Sequence, residues 1–186
     1  MTAKHIVSPV SPEVIKELHV GDNVLIDGVI YVARDAAHKR LVEAMDRREK
    51  LPFDIKGQTV YYMGPSPAPP GRVIGACGPT TSSRMDMFTP RLLEAGLKAM
   101  IGKGNRSQAV KDAIKKYNAV YFMSYGGAGA LLAKTVEKAE LIAYPDLGAE
   151  AILRLEVKDF PAVVANDMYG HDLFDEAKAK YQRVSV

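Results

Sequence analysis

The sequence predicts an α/β domain with a mixed sheet, and three observations carry that expectation. From residue 97 onward, short apolar runs alternate with stretches of helical spacing, the order from which parallel strands and crossover helices are built. The first third instead places Asp27-Gly28 between two apolar runs, a hairpin signal that adds an antiparallel layer. The chain has 186 residues, 47% of them hydrophobic and 25% charged, which is enough for one well-buried core. A single domain over 1–186 is expected.

Taken in order, Ser11-Pro12-Glu13 opens a short helix, with Ser11 as N-cap and Pro12 at the first helical position, that ends near Gly21. Strands are expected over 23–26 and 29–33, flanking the Asp27-Gly28 turn. Arg34 ends the second strand, and Asp35 can cap a helix over 36–49. Residues 58–63 read as a strand, and the proline-rich run 64–71 as a stiff connection lying over the core. Val73-Ile74-Gly75-Ala76-Cys77 reads as a short buried strand, and 85–95 as a helix with Met85, Phe88, Leu92 and Leu93 on one face. Strands follow over 97–101, 119–124, 141–144, 151–157 and 162–165, with helices over 107–117, 129–138 and 172–182. The alternating charges from Lys134 to Glu140 look like a solvated helix face.

Composition excludes several classes. The net charge is only +3 and basic residues are interleaved with acids, so charge makes no case for a nucleic-acid partner. The single cysteine, Cys77, rules out an internal disulfide and a metal site built from several cysteines of this chain. The four histidines, His5, His19, His38 and His171, show no metal-ligand spacing. The first residues lack the apolar core of a signal peptide, and no apolar run reaches membrane-spanning length. A cytoplasmic protein with no membrane partner is expected.

The stretch Gly78-Pro79-Thr80-Thr81-Ser82-Ser83-Arg84-Met85-Asp86 is the most informative. Two hydroxyls follow a Gly-Pro turn on an expected strand-to-helix junction, where amides of the first helical turn attract anions. Arg84 opposes the helix dipole there unless something negative binds; the plain alternative is an ordinary Ser/Thr cap. Lys103 lies on a second such turn, Gly102-Lys103-Gly104-Asn105-Arg106-Ser107, which lacks phosphate-loop spacing because Gly104 follows the lysine. Gly126-Gly127-Ala128-Gly129 forms a third, and it fails the dinucleotide pattern because Leu132 replaces the last glycine. Parallel strands would bring Arg34, Thr80, Thr81, Arg84, Lys103, Gly126 and Gly127 to one rim, where the cations suit a small di-anion. Otherwise these are unrelated surface charges, paired with neighbours such as Asp35 or Asp86. Cys77 reads as a small core side chain rather than a catalytic thiol, His38 as a partly exposed helix residue with a ligand or proton-donor role secondary, and Asp86 as a partner for Arg84 or a helix cap.

The Gly78–Asp86 motif resembles the signature of the β subunit, or C-terminal domain, of class I iron–sulfur-dependent fumarases and L(+)-tartrate dehydratases. The likeness extends to Ala33-Arg34-Asp35-Ala36-Ala37-His38, Tyr62-Met63-Gly64-Pro65, Lys103-Gly104-Asn105-Arg106, Tyr125-Gly126-Gly127, Ala149-Glu150-Ala151-Ile152 and Val157-Lys158-Asp159-Phe160-Pro161. It implies a three-layer swivelling β/β/α domain and reversible hydration of fumarate to L-malate. It also implies Thr80 as the residue that moves the carbon-bound proton, with Arg34, Thr81, Arg84 and Lys103 binding the dicarboxylate and Gly126 and Gly127 as backbone contacts. The [4Fe–4S] cluster of such enzymes is held by cysteines of an α subunit. This chain, with one cysteine, is therefore expected to bind no cluster alone and to act only within an αβ heteromer, itself able to dimerise. An L(+)-tartrate dehydratase β subunit, or a non-catalytic dicarboxylate-binding or assembly module of the same fold, are the alternatives.

Overall fold

The computed structural model describes residues 2–183. In chain order it contains β1 (Lys4–Ser8), α1 (Pro12–Lys16), β2 (Asn23–Val32), α2 (Asp35–Asp46), β3 (Thr59–Tyr61), a 3-10 turn (Ser82–Met85), α3 (Thr89–Glu94) and β4 (Ala99–Gly102). It continues with α4 (Gln108–Lys116), β5 (Val120–Met123), α5 (Gly129–Leu132), β6 (Val136–Ala143), β7 (Ile152–Asn166) and α6 (Leu173–Tyr181).

Strands β2, β3, β4 and β5 run parallel to one another. β7 runs antiparallel to both ends of that set, pairing with β5 at Tyr121↔Asn166 and with β2 from Asn23↔Val163 to Val32↔Leu153. Those pairings close β2-β3-β4-β5-β7 into a five-strand barrel. β1 lies parallel against the first half of β2, and β6 antiparallel against the first half of β7. Period-two alternation sorts each barrel strand into two cores. Tyr61, Ile101, Phe122, Phe160 and Val164 belong to one cluster, and Val60, Met100, Tyr121 and Ala165 to a second that also holds residues of α2, α3 and α4. Each fully buried large side chain contributes about 1.5–3 kcal/mol, so these two clusters hold the strand ends rigidly. The α/β class and the mixed sheet are as the sequence predicts.

The antiparallel part, however, comes from the last third of the chain and not from the first. Asp27-Gly28 makes no hairpin: residues 23–32 form one strand with a bulge between Ile26 and Gly28 against β7. Gly28, at φ +96°, presses on β1 so closely that a Cβ would lie 2.3 Å from the Ser8 carbonyl oxygen. The expected strands over 151–157 and 162–165 are the two ends of β7. The expected helix over 129–138 stops at Leu132, passes through a 3-10 turn and becomes β6 at Val136, so Lys134–Glu140 is mostly a solvated strand edge.

Two further expectations fail next to the rim. Residues 73–77 form no strand. They fold over the core as a loop, with Ile74 and Cys77 buried, the Ala76 amide donating to Ser66 Oγ and the Tyr61 hydroxyl donating to the Cys77 carbonyl. The expected helix over 85–95 is broken into the 3-10 turn and α3. By contrast, the Ser11 cap and the last helix stand, with Asp172 accepting from Phe174 N and Asp175 N.

Candidate functional site

The parallel strands bring their carboxyl ends to one rim of the barrel, and the residues singled out from the sequence meet there. Arg34 follows β2 and sits at the N-cap of α2. Its guanidinium lies against Gly64, just beyond β3, where a Cβ would come within 2.8 Å of Nη1. Thr80 is threaded between the ends of β3 and β4: its amide donates to Tyr62 O at 2.7 Å, and its carbonyl accepts from Lys103 N at 3.2 Å. The Ser82 amide returns the contact to Lys103 O at 2.9 Å, so Thr81 lies bridged to Lys103. The Lys103 side chain passes over Gly126, whose added Cβ would stand 3.7 Å from Lys103 Cδ. Gly78 and Gly129 touch so closely that a Cβ on Gly129 would lie 2.8 Å from Gly78 N.

Acids organise two of the three cations. Asp35 Oδ1 accepts from Arg84 Nε at 2.8 Å, and Asp35 Oδ2 lies 3.4 Å from Arg34 Nε. Partial burial works against the Asp35 charge, but its backbone hydrogen bond and the two guanidinium groups outweigh it and hold the carboxyl below its ordinary range. Glu150 pairs with Arg34 Nη2 at 3.3 Å and, through Oε2, accepts from Ala36 N at 2.8 Å, capping α2. Lys103 has no acidic partner among the described residues. Two guanidinium groups, an ammonium and two adjacent threonines on one open rim are suited to gripping a carboxylate beside a hydroxyl.

A buried layer supports the rim. Arg106 Nε pairs with Asp86 Oδ1 at 2.8 Å, its Nη2 donates to Thr89 Oγ1 at 2.8 Å, and its guanidinium lies over the rings of Tyr62 and Tyr121. Asp86 Oδ2 also accepts from Ser107 N at the start of α4. Ser82 Oγ meets Tyr121 Oη at 2.9 Å, in space left by Gly102, where a Cβ would collide at 2.0 Å. His38 is fully buried, packed edge-on to Tyr62, with Nδ1 donating to Arg34 O at 3.0 Å and Nε2 without a partner among the described residues. Burial pushes its pKa down to about 4, so the ring is neutral.

These contacts correct several readings. His38 is core, not partly exposed. Asp86 pairs with Arg106, not Arg84, and Asp35 stands in the first turn of α2 while Glu150 supplies the cap. Thr80 enters from a loop, not a strand, and the Thr80 and Ser82 amides are already bonded, so the turn offers neither of them to an anion. From the sequence Asp35 reads only as a cap or a pairing neighbour of the cations; Glu150 and Arg106 are missed as site residues because their partners are remote in sequence, and no local pattern marks them. Cys77 is buried, its thiol donates to Gly75 O at 3.2 Å, and burial pushes its pKa up to about 11. Where β1, β2 and β7 run side by side, the structure gathers His5, Asp27 and Asp159, with His5 Nδ1 3.7 Å from Asp159 Oδ1.

A family model described as Fumarase C-terminus matches residues 3–177. The chain belongs to that family. Among curated relatives, "Fumarate hydratase class I, aerobic" of Salmonella typhimurium is 44% identical over 162 residues, covering 86% of this chain and 28% of the relative. "Fumarate hydratase 2" of Leishmania major is 41% identical over 162 residues, covering 86% and 28%. A Methanocaldococcus jannaschii protein provisionally named L(+)-tartrate dehydratase subunit beta is 35% identical over 178 residues, covering 92% of this chain and 91% of its own length. The chain thus spans 28% of each of these two fumarate hydratases and 91% of the tartrate dehydratase subunit. These relatives place this fumarase C-terminal chain in a hydro-lyase family. No helix among the described residues is long and apolar enough to cross a membrane.

Proposed function

We propose that this chain is the β-subunit half of a two-subunit hydro-lyase that interconverts fumarate and L-malate in the cytoplasm. The observation that carries the reading is the rim itself, where Arg34, Thr80, Thr81, Arg84 and Lys103 meet in a chain of the fumarase C-terminal family. In this reading Arg34, Arg84 and Lys103 hold a substrate carboxylate and stabilise the negative charge that builds on it as the neighbouring C–H proton leaves. Thr80 moves that proton. An alcohol is a very weak acid, so the role requires the rim cations to favour its alkoxide, or a partner group to relay the proton. A single buried thiol does not fit a [4Fe–4S] cluster, so the cluster is assigned to an α partner that closes over the rim. A swivelling placement of this domain at the subunit junction belongs to the same proposal.

The match to nearly the full length of a tartrate dehydratase β subunit favours a second reading, in which the same grip serves a dihydroxy acid. Co-expression with the α subunit, anaerobic cluster reconstitution and parallel assays with malate, fumarate and tartrate separate the two. In the active pair, Thr80→Ala should lower kcat about 100-fold or more and suppress solvent proton exchange at C3 of malate. Stoichiometric iron and sulfide on this chain alone would sink the two-subunit reading, and near-normal kcat and exchange in Thr80→Ala would move the base to the partner.

A further inference from the structure

Arg34 and Arg84 reach the rim from different elements, yet one carboxylate joins them. Asp35 contacts Arg84 Nε at 2.8 Å and lies 3.4 Å from Arg34 Nε. The Arg84 contact uses Nε alone, so both Nη groups of Arg84 make no hydrogen bond or ion pair among the described residues. Arg34 is held a second time by Glu150, which is itself fixed as the cap of α2.

We infer that Asp35 is a positioning residue for the carboxylate grip, holding Arg84 by Nε so that its terminal fork is ready for a substrate carboxylate. The inference rests on the hydro-lyase reading above. Arg84 is 49% exposed, and a long exposed arginine without a tether must lose its rotamer freedom at the moment of binding. An ion pair made beforehand removes that cost and leaves the two parallel N–H donors of a bidentate contact free. As a fold element the same pair is weak, because exposed ion pairs contribute little to stability. The acid also sets the charge of the rim. Arg34, Arg84 and Lys103 against Asp35 and Glu150 leave a single net positive charge from this chain. That charge matches one carboxylate and does not favour indiscriminate capture of highly charged anions.

Asp35→Asn keeps the shape of the side chain and removes its charge. In the nitrogen-15-labelled lone chain, the Arg84 Nε–H should exchange with solvent slowly in the wild type and about tenfold faster or more in Asp35→Asn. Equal exchange rates would overturn the proposal. In the two-subunit enzyme, Asp35→Asn should raise KM about tenfold while kcat stays within about threefold, and Asp35→Glu should recover part of the loss. On an Arg84→Lys background the same substitution should add less than about twofold, because both changes remove one grip. An unmoved KM, or a full further loss on the Arg84→Lys background, would contradict the positioning role. A wild-type pair inert toward malate, fumarate and tartrate would instead sink the hydro-lyase reading. The exchange measurement would then still decide whether Asp35 holds Arg84.

Discussion

Arg84 and Arg106 belong to adjoining segments of one loop cluster, and the protein uses them in opposite ways. The Arg106 side chain is 0% exposed, with an acid, a hydroxyl and two aromatic faces around its guanidinium. Arg84 is half exposed, held by one Nε contact, with its Nη groups unpartnered among the described residues. An arginine surrounded on all sides is a fold element, because removing it strands a buried acid. One tethered at a single edge keeps its terminal donors available to a ligand, the role proposed for Arg84. The charge is the same in both; burial and the donors left over decide what it does.

The buried side of the comparison gives the largest expected effect. Arg106→Met leaves Asp86, whose side chain is only 12% exposed, with the Ser107 amide but without its charged partner. It should destabilise the lone chain by about 3–5 kcal/mol. Urea unfolding measures this directly, and a loss under about 1 kcal/mol would mean that the pair is dispensable to the fold.

His38 sharpens the same contrast through pH. Its ring is buried against Tyr62 with Nε2 unpartnered among the described residues, and burial lowers its pKa from 6.5 to about 4. Between those values the unfolded chain binds the proton and the folded chain does not. The stability that depends on neutral His38 is therefore whole above pH 6.5, falls as pH drops toward 4, and is lost below that. The full difference is at most about 3 kcal/mol. Comparing wild type with His38→Phe from pH 7 to pH 4 isolates the term, and a pH-independent difference between the two would contradict the buried neutral ring.

Much of the fold and part of the rim are legible in the sequence. The alternation from residue 97 to residue 124 gave β4, α4 and β5, and hence the parallel rim on which Lys103 stands. Local chemistry was enough for the Ser11 cap and for the last helix. Asp27-Gly28 misled because a turn signal is local, while the partners that keep β2 straight, β1 and β7, lie elsewhere in the chain. Lys134–Glu140 misled because a solvated strand edge and a solvated helix face carry similar charge alternation. Thr80, Thr81, Arg84 and Lys103 could be read as turn residues. Asp35 and Asp86 could be read as pairing acids, but not which arginine each one holds, because Asp35 lies 49 residues from Arg84 and Asp86 lies 20 from Arg106; Glu150, which lies 114 from Ala36, could not be read at all.

The claim that the rim arginines serve a ligand and the buried one serves the fold is tested most directly by Arg84→Lys, measured for stability and for catalysis in the same two-subunit preparation. Lysine keeps the charge and removes the planar fork. The account predicts unfolding free energy within about 0.5 kcal/mol of wild type, with kcat/KM lowered by about 1–3 kcal/mol of lost carboxylate recognition, seen mainly in KM. A clear loss of stability with kcat/KM unchanged would make Arg84 a fold element like Arg106 and contradict the account.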